Sequence, residues 1–205
     1  MAYTERKTPR LSLPIWAGPF FLLLILFLAG GCSGAVRPKV LPAEALKVEK
    51  IGPEVKRLLN NGDWLVIRGL TGPDQVVATA TNMPFSHAAI YDRARKSVIE
   101  ADGSGVHLTS LDDFLAKAQR LMIIRPYWAT PETAEQAVAR AESLLGRGYN
   151  YSGLIGLGSP GRYYCTQLAV HVYEPFMDKK PNPIPRVIAP GQMHHWGRII
   201  YDSGP

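Results

Sequence analysis

Cysteine is scarce in this chain: 205 residues contain two, Cys32 and Cys165. Two thiols cannot build the disulfide framework that holds many small secreted domains. Blocks of like charge and internal repeats are missing too, so nothing points to nucleic acid as a partner. His194 and His195 are adjacent and do not project together, and no Cys or carboxylate stands near them at ligand spacing. No metal and no other cofactor is therefore expected. Gly153, Gly156, Gly158 and Gly161 lack the strand-to-helix context of a phosphate loop and read as backbone passing close to a cleft.

What is present begins with an N-terminal leader. Arg6, Lys7 and Arg10 precede an uncharged, Leu-rich stretch over residues 11–31, the basic flank and apolar middle of a secretory signal. It ends in Ala29-Gly30-Gly31-Cys32, small residues before a cysteine as in a bacterial lipobox, although Ala29 stands where that motif has a large aliphatic residue. The alternative is a retained membrane span, since the stretch is long enough to cross a bilayer and membrane helices tolerate Pro14 and Pro19. Both readings tether the chain to a membrane with its domain outside the cytoplasm, in a bacterial cell envelope. Residues 1–31 are the leader, residues 32–43 a proline-containing tether, and residues 44–205 a single domain. The formal net charge is +6. Without the leader the domain is mildly basic, which suits anionic lipid or cell-wall polymer. If Cys32 carries lipid, Cys165 has no partner and reads as a reactive thiol.

The rest of the chain alternates strand and helix patterns. Residues 44–60 have helical spacing interrupted at Gly52-Pro53, residues 63–68 form a strand, and residues 69–85 form a long connection. Two β-type runs, residues 87–91 and 97–101, flank a polar turn and predict a hairpin. A short strand at 105–108, a helix at 111–117 capped by Thr109 or Ser110, and a strand at 121–124 follow. Thr130-Pro131-Glu132 opens a helix that Gly146 ends. A shorter helix covers 165–173, and a last strand covers 198–201. The pattern predicts an α+β domain on an antiparallel sheet.

Three residues within it carry chemistry. Cys165 starts a helix, where free backbone amides favour a thiolate, and Leu168, Ala169 and Val172 share its stripe and must face the sheet. His87 starts a strand beside small Ala89. Glu100 lies in an apolar strand where an unpaired carboxylate is costly. A hairpin loop centred between Arg93 and Ala94 sets position 87 opposite position 100 on one face. Each has a plainer reading: an inert core thiol, a structural histidine, and an edge glutamate paired with Arg93, Arg95 or Lys96. Trp64, Tyr163 and Tyr164 are pocket or core aromatics.

Gly62-Asp63-Trp64-Leu65-Val66, Phe85-Ser86-His87-Ala88-Ala89-Ile90-Tyr91 and Val98-Ile99-Glu100-Ala101 resemble the sheet of NlpC-type papain-like cysteine hydrolases. Gly148-Tyr149-Asn150-Tyr151-Ser152-Gly153 and Tyr164-Cys165-Thr166-Gln167-Leu168 resemble their tyrosine segment and nucleophile helix. Here the cysteine segment follows the sheet, an order that resembles the circularly permuted YiiX/YebB-like branch. The resemblance covers about residues 61–173. It implies a permuted papain-like fold whose antiparallel sheet packs on the cysteine helix, with Cys165 as nucleophile, His87 as general base and Glu100 as the group orienting it. It also implies Tyr149 as an active-site neighbour, with Tyr164 and Trp64 lining the substrate pocket. Thr166-Gln167 departs from the usual Ser-Gly or Ser-Glu pair. The resulting reading is a membrane-tethered cysteine hydrolase cleaving an amide in a cell-wall peptide or an acylated amine or lipid. No obligate protein partner is implied. His-Ala-Ala-Ile-Tyr is also similar to the lecithin:retinol acyltransferase relatives, which keeps acyl transfer open. A non-catalytic module with a papain-like cleft is the third reading.

Overall fold

A computed structural model describes residues 48–177 and 184–204. The leader, Cys32 and the tether lie outside these residues. Helix α1, Val48–Leu58, runs through Gly52 and Pro53 without the expected interruption. The proline costs one backbone hydrogen bond, but Val55 and the following Leu59 are fully buried, and that packing offsets the loss.

Strand β1, Trp64–Gly69, is followed by a helix, α2, Gly72–Thr81, where the sequence predicts a long connection. The helix has a start signal. The Thr71 amide donates to Asp74 Oδ2 at 3.2 Å, Pro73 lies in the first turn, and Asn82 in the left-handed region ends it.

Strands β2, His87–Asp92, β3, Ser97–Asp102, and β4, Gly105–Ser110, form a meander. Helix α3, Leu111–Ala116, leads into β5, Ala118–Pro126, and helix α4, Pro131–Glu142, follows. A small parallel pair, β6, Gly148–Tyr149, and β7, Arg162–Tyr163, precedes helix α5, Cys165–His171. The last strand is β8, Gly197–Asp202. The main sheet is antiparallel in the order β4-β3-β2-β1-β5-β8, so the mixed architecture and antiparallel sheet agree with the sequence reading.

Both faces of this sheet are covered. Val66, Ala88, Ile90 and Ile99 pack against Ala137 and Val138 of α4 and Leu168 and Ala169 of α5. Leu65, Ile67, Ala89 and Val98 pack against Val55 of α1 and Phe114 and Leu115 of α3. Burial on two sides explains why β1 and β2 read as continuous apolar runs rather than alternating ones. Each fully buried large aliphatic side chain contributes about 1.5–3 kcal/mol.

The β2–β3 hairpin differs from expectation in its register. Its loop is centred between Ala94 and Arg95, with Asp92 opposite Ser97 and Ala89 opposite Glu100. Asp92 sets this turn by accepting the Arg95 amide at 3.1 Å, and Lys96 takes a positive φ of 51° to close it. Position 100 therefore moves two residues along its partner, which preserves the face on which Glu100 projects.

Candidate active site

His87 and Cys165 each begin their own element at the same end of the sheet. Helix α5 runs in the direction of β2. The Tyr173 hydroxyl beyond its end donates to the Gly62 carbonyl, and the Gly62 amide bonds Tyr91 at the far end of β2. The α5 stripe packs on the Ala88 and Ile90 face, as Leu168 and Val172 predict. Alternation sets His87 with Ala89 and Tyr91, on the α3 side, and its ring lies 6.0 Å from that of Phe114. Contact between thiol and imidazole is thus made at the sheet's end, with the Cys165 side chain hydrogen-bonded to His87. Both residues are nearly covered, Cys165 at 6% exposure and His87 at 9%.

The other side of the imidazole meets Glu100, with Nε2 at 2.5 Å from Oε2. Glu100 is fully buried and holds further partners. Thr109 Oγ1 donates to Oε1 at 2.5 Å, and Lys117 Nζ donates to Oε1 and Oε2 at 2.8 and 3.0 Å. His107, opposite Glu100 in the β3–β4 register, stands 3.6 Å from Oε1. None of Arg93, Arg95 and Lys96 pairs with it: Arg95 binds Asp92 and Glu142, and Arg93 binds the Leu59 carbonyl and Asn60.

These partners explain the electrostatics. Burial by itself disfavours the imidazolium of His87. The hydrogen bonds and charges of Cys165 and Glu100 outweigh burial and raise its pKa from 6.5 to about 10. Burial likewise opposes the Glu100 carboxylate, yet His87 and Lys117 hold it below the usual carboxylate range. The carboxylate fixes the ring and makes the nitrogen facing sulfur a strong proton acceptor. Tyr149 is half-buried beside the thiol. Burial first, and the charge of Cys165 second, push its pKa up, so it stays a phenol and a hydrogen-bond donor.

The N-terminus of α5 is tied down by residues around the thiol. Gln167 Oε1 accepts from Asn150 Nδ2 at 3.0 Å and from the Tyr164 amide at 3.3 Å, and Thr166 Oγ1 donates to the Ile188 carbonyl at 2.6 Å. The departure from the usual residues after the cysteine thus has a structural role. Two expected pocket residues prove to be core. Trp64 is fully buried and donates Nε1–H to the Ala169 carbonyl at 3.0 Å. Tyr164 is 2% exposed, and its hydroxyl accepts from the Ile188 amide and donates to the Arg186 carbonyl. Neither ring has surface to offer a substrate.

Lys117 and Thr109 are the site members that the sequence does not reveal. Thr109 competes with Ser110 as the α3 cap. Ser110 takes that role by accepting the Asp113 amide at 3.1 Å, which frees Thr109 for Glu100. A separate cavity of about 380 Å3, lined by Asn60, Asn61, Arg93, Arg125 and Glu135, opens at the other end of the central strands. Its Arg125 is bound to Asp63 at 2.8 Å. It contains no member of the Cys165 cluster.

Comparison with known proteins gives a consistent family. Residues 59–189, more than half of the chain, match the family described as "permuted papain-like amidase enzyme, YaeF/YiiX, C92 family". The "Probable lipoprotein peptidase YaeF" of Escherichia coli (strain K12) is 30% identical over 97 residues, 47% of this chain and 35% of that relative. The match thus spans about a third of the relative's length. The crystal structure titled metalloprotein yiiX from Escherichia coli O157:H7 superposes with a TM-score of 0.51 at 21% identity, covering 60% of this chain and 69% of that one. Among the described residues here, no group of three His, Cys, Asp or Glu is arranged to hold a metal ion.

Proposed function

The chain belongs to the permuted papain-like amidase family, and on that premise we propose that it is a cysteine hydrolase cleaving an amide through an acyl-enzyme on Cys165. The observation that carries the reading is the His87 imidazole bonded on one side to the Cys165 thiol and on the other to the Glu100 carboxylate. With its proton held on His87, sulfur attacks the substrate carbonyl carbon. His87 then delivers that proton to the leaving nitrogen as the C–N bond breaks. Water, deprotonated by the same imidazole, cleaves the thioester and restores the thiol. Glu100 stabilises the imidazolium through this cycle without itself taking the proton. The Tyr149 phenol, which feels the charge of Cys165, is the candidate donor to the carbonyl oxygen.

The substrate class is a cell-wall peptide or an acylated amine or lipid. The relative named as a lipoprotein peptidase supports an envelope lipoprotein, with Cys32 carrying the lipid and the domain outside the cytoplasm. Intact-mass analysis of the membrane fraction tests this. A mature chain beginning at Cys32 with added lipid mass is expected, whereas a chain still beginning near Met1 indicates a retained anchor.

Alkylation by iodoacetamide tests the chemistry. Cys165 is expected to label rapidly at neutral pH, and His87→Ala to label at least about 10-fold more slowly. Equal labelling in the two proteins would remove the catalytic reading and leave a binding module with a papain-like cleft. The acyl group trapped on Cys165 after incubation with envelope extract, read by mass spectrometry, identifies the substrate. Water and an amine acceptor are then distinguished by the released product.

A further inference from the structure

Next to the thiol, the surface changes character. Tyr149 packs its ring 4.8 Å from that of Tyr151, and the chain then turns through a short 3-10 helix, Ser152–Ile155. Four large apolar side chains of this segment face solvent: Tyr151 at 64%, Leu154 at 42%, Ile155 at 76% and Leu157 at 58%. Val187, also exposed, joins them, since a methyl group at Gly156 would lie 3.6 Å from its Cγ2. A cluster of this kind on a folded surface marks a contact with something apolar.

The charge around the cluster narrows what that contact is. Arg147, Arg162 and Arg186 are exposed and stand on the segments that flank it. Arg162 lies opposite Gly148 in the β6–β7 pair, a methyl at Gly161 would touch Arg147 Nη1 at 3.5 Å, and the Arg186 side chain reaches within 3.8 Å of the same methyl at Gly156. None of the three forms an ion pair among the described residues. Asp102 is the one carboxylate whose charge acts on Tyr149. An apolar tip flanked by guanidiniums matches a bilayer with anionic headgroups, acyl chains receiving the tip and phosphates receiving the arginines. Residues 33–47 separate Cys32 from α1 and can span about 50 Å when extended, enough to let this edge reach the membrane that holds the tether.

We propose that the 151–157 segment with Val187, flanked by Arg147, Arg162 and Arg186, is a lip that enters the surface of an anionic bilayer and holds Cys165 against the membrane. The proposal rests on the membrane tether argued above and not on the reactivity of Cys165. The membrane-tethered protein, as purified from the membrane fraction, is reconstituted into phosphatidylethanolamine vesicles containing phosphatidylglycerol. Two variants are compared with the parent by difference fluorescence: Ile155→Trp in the lip and Glu135→Trp on the exposed side of α4.

The emission added by Ile155→Trp is expected to be blue-shifted and quenched several-fold more by phospholipids brominated in their acyl chains than that added by Glu135→Trp. That excess is expected to fall when phosphatidylcholine replaces phosphatidylglycerol, and when Arg147, Arg162 and Arg186 are together changed to Gln. Equal quenching at the two positions overturns the lip. A blue shift without lipid quenching also overturns it, in favour of a second copy or a protein partner. Protein that fails to float with the vesicles overturns tether and lip together, while iodoacetamide labelling of Cys165 reports separately on the catalytic reading.

Discussion

The carboxylate of Glu100 reaches His87 diagonally: Glu100 pairs with Ala89 across the β2–β3 ladder, yet its Oε2 lies 2.5 Å from the Nε2 of a histidine two residues earlier. Diagonal neighbours in an antiparallel pair are farther apart than direct ones, and only long side chains bridge them. Glutamate and histidine together have the length, and aspartate at position 100 would be one methylene short. The carboxylate is held by Thr109 and Lys117 as well, so it is positioned before it meets the imidazole.

Glu100→Gln keeps the shape and removes the charge. Labelling of Cys165 at neutral pH is expected to fall about 10-fold or more, because the imidazolium loses its partner. The substrate turnover that Cys165→Ala abolishes should persist at a reduced rate. Full activity in Glu100→Gln would show that the charge is dispensable.

The pair also makes stability depend on pH. His87 titrates at about 10 in the fold against 6.5 ordinarily, so its contribution is complete below about pH 6.5 and lost as pH rises through 10. Glu100 is held below the carboxylate range, so its contribution is present above about pH 4.3 and lost as pH falls through its folded value. Urea unfolding of the parent against His87→Gln should therefore differ most between about pH 4.3 and 6.5. The difference should shrink toward pH 10, and a constant difference over that range would contradict the assignment.

Lys117→Met removes two charge-assisted bonds from a buried carboxylate and should lower the unfolding free energy by about 1.5–3 kcal/mol. Lys117 helps keep Glu100 ionised. Without it Glu100 protonates more readily, and the acid limb of the activity profile is expected to move to higher pH. Lys117→Arg should restore much of both. An unmoved acid limb in Lys117→Met would limit the lysine to a structural role.

Trp64→Phe separates core from pocket. It deletes the donor to the Ala169 carbonyl inside the sheet–helix interface, with an expected loss of about 1–3 kcal/mol. The labelling rate of Cys165 per folded molecule should be unchanged. A slower rate with unchanged stability would return Trp64 to the substrate pocket.

Much of the site is legible in local pattern because alternation is a local property. His87 and Glu100 fall on the same face whichever even register the hairpin adopts, and the helix stripe of Leu168 and Val172 follows from spacing. The α2 helix was legible in principle too, through Thr71-Gly72-Pro73-Asp74, although that signal lies within what reads as a loop. The pairing within the hairpin was not, because it depends on one side chain, Asp92, capturing the Arg95 amide.

Residue types, their order along the chain and the face of each strand were thus set by the amino-acid sequence alone, since periods of two and 3.6 residues require no knowledge of the rest of the molecule. Which elements share an end of the sheet was decided only by the tertiary fold. Lys117 and Thr109 converge on Glu100 through the α3 connection, and Cys165 meets His87 from the opposite face around the sheet's end. Trp64 was drawn inward for the same reason: an aromatic ring in β1 lines a pocket or fills a core according to what packs over it, and here α5 does.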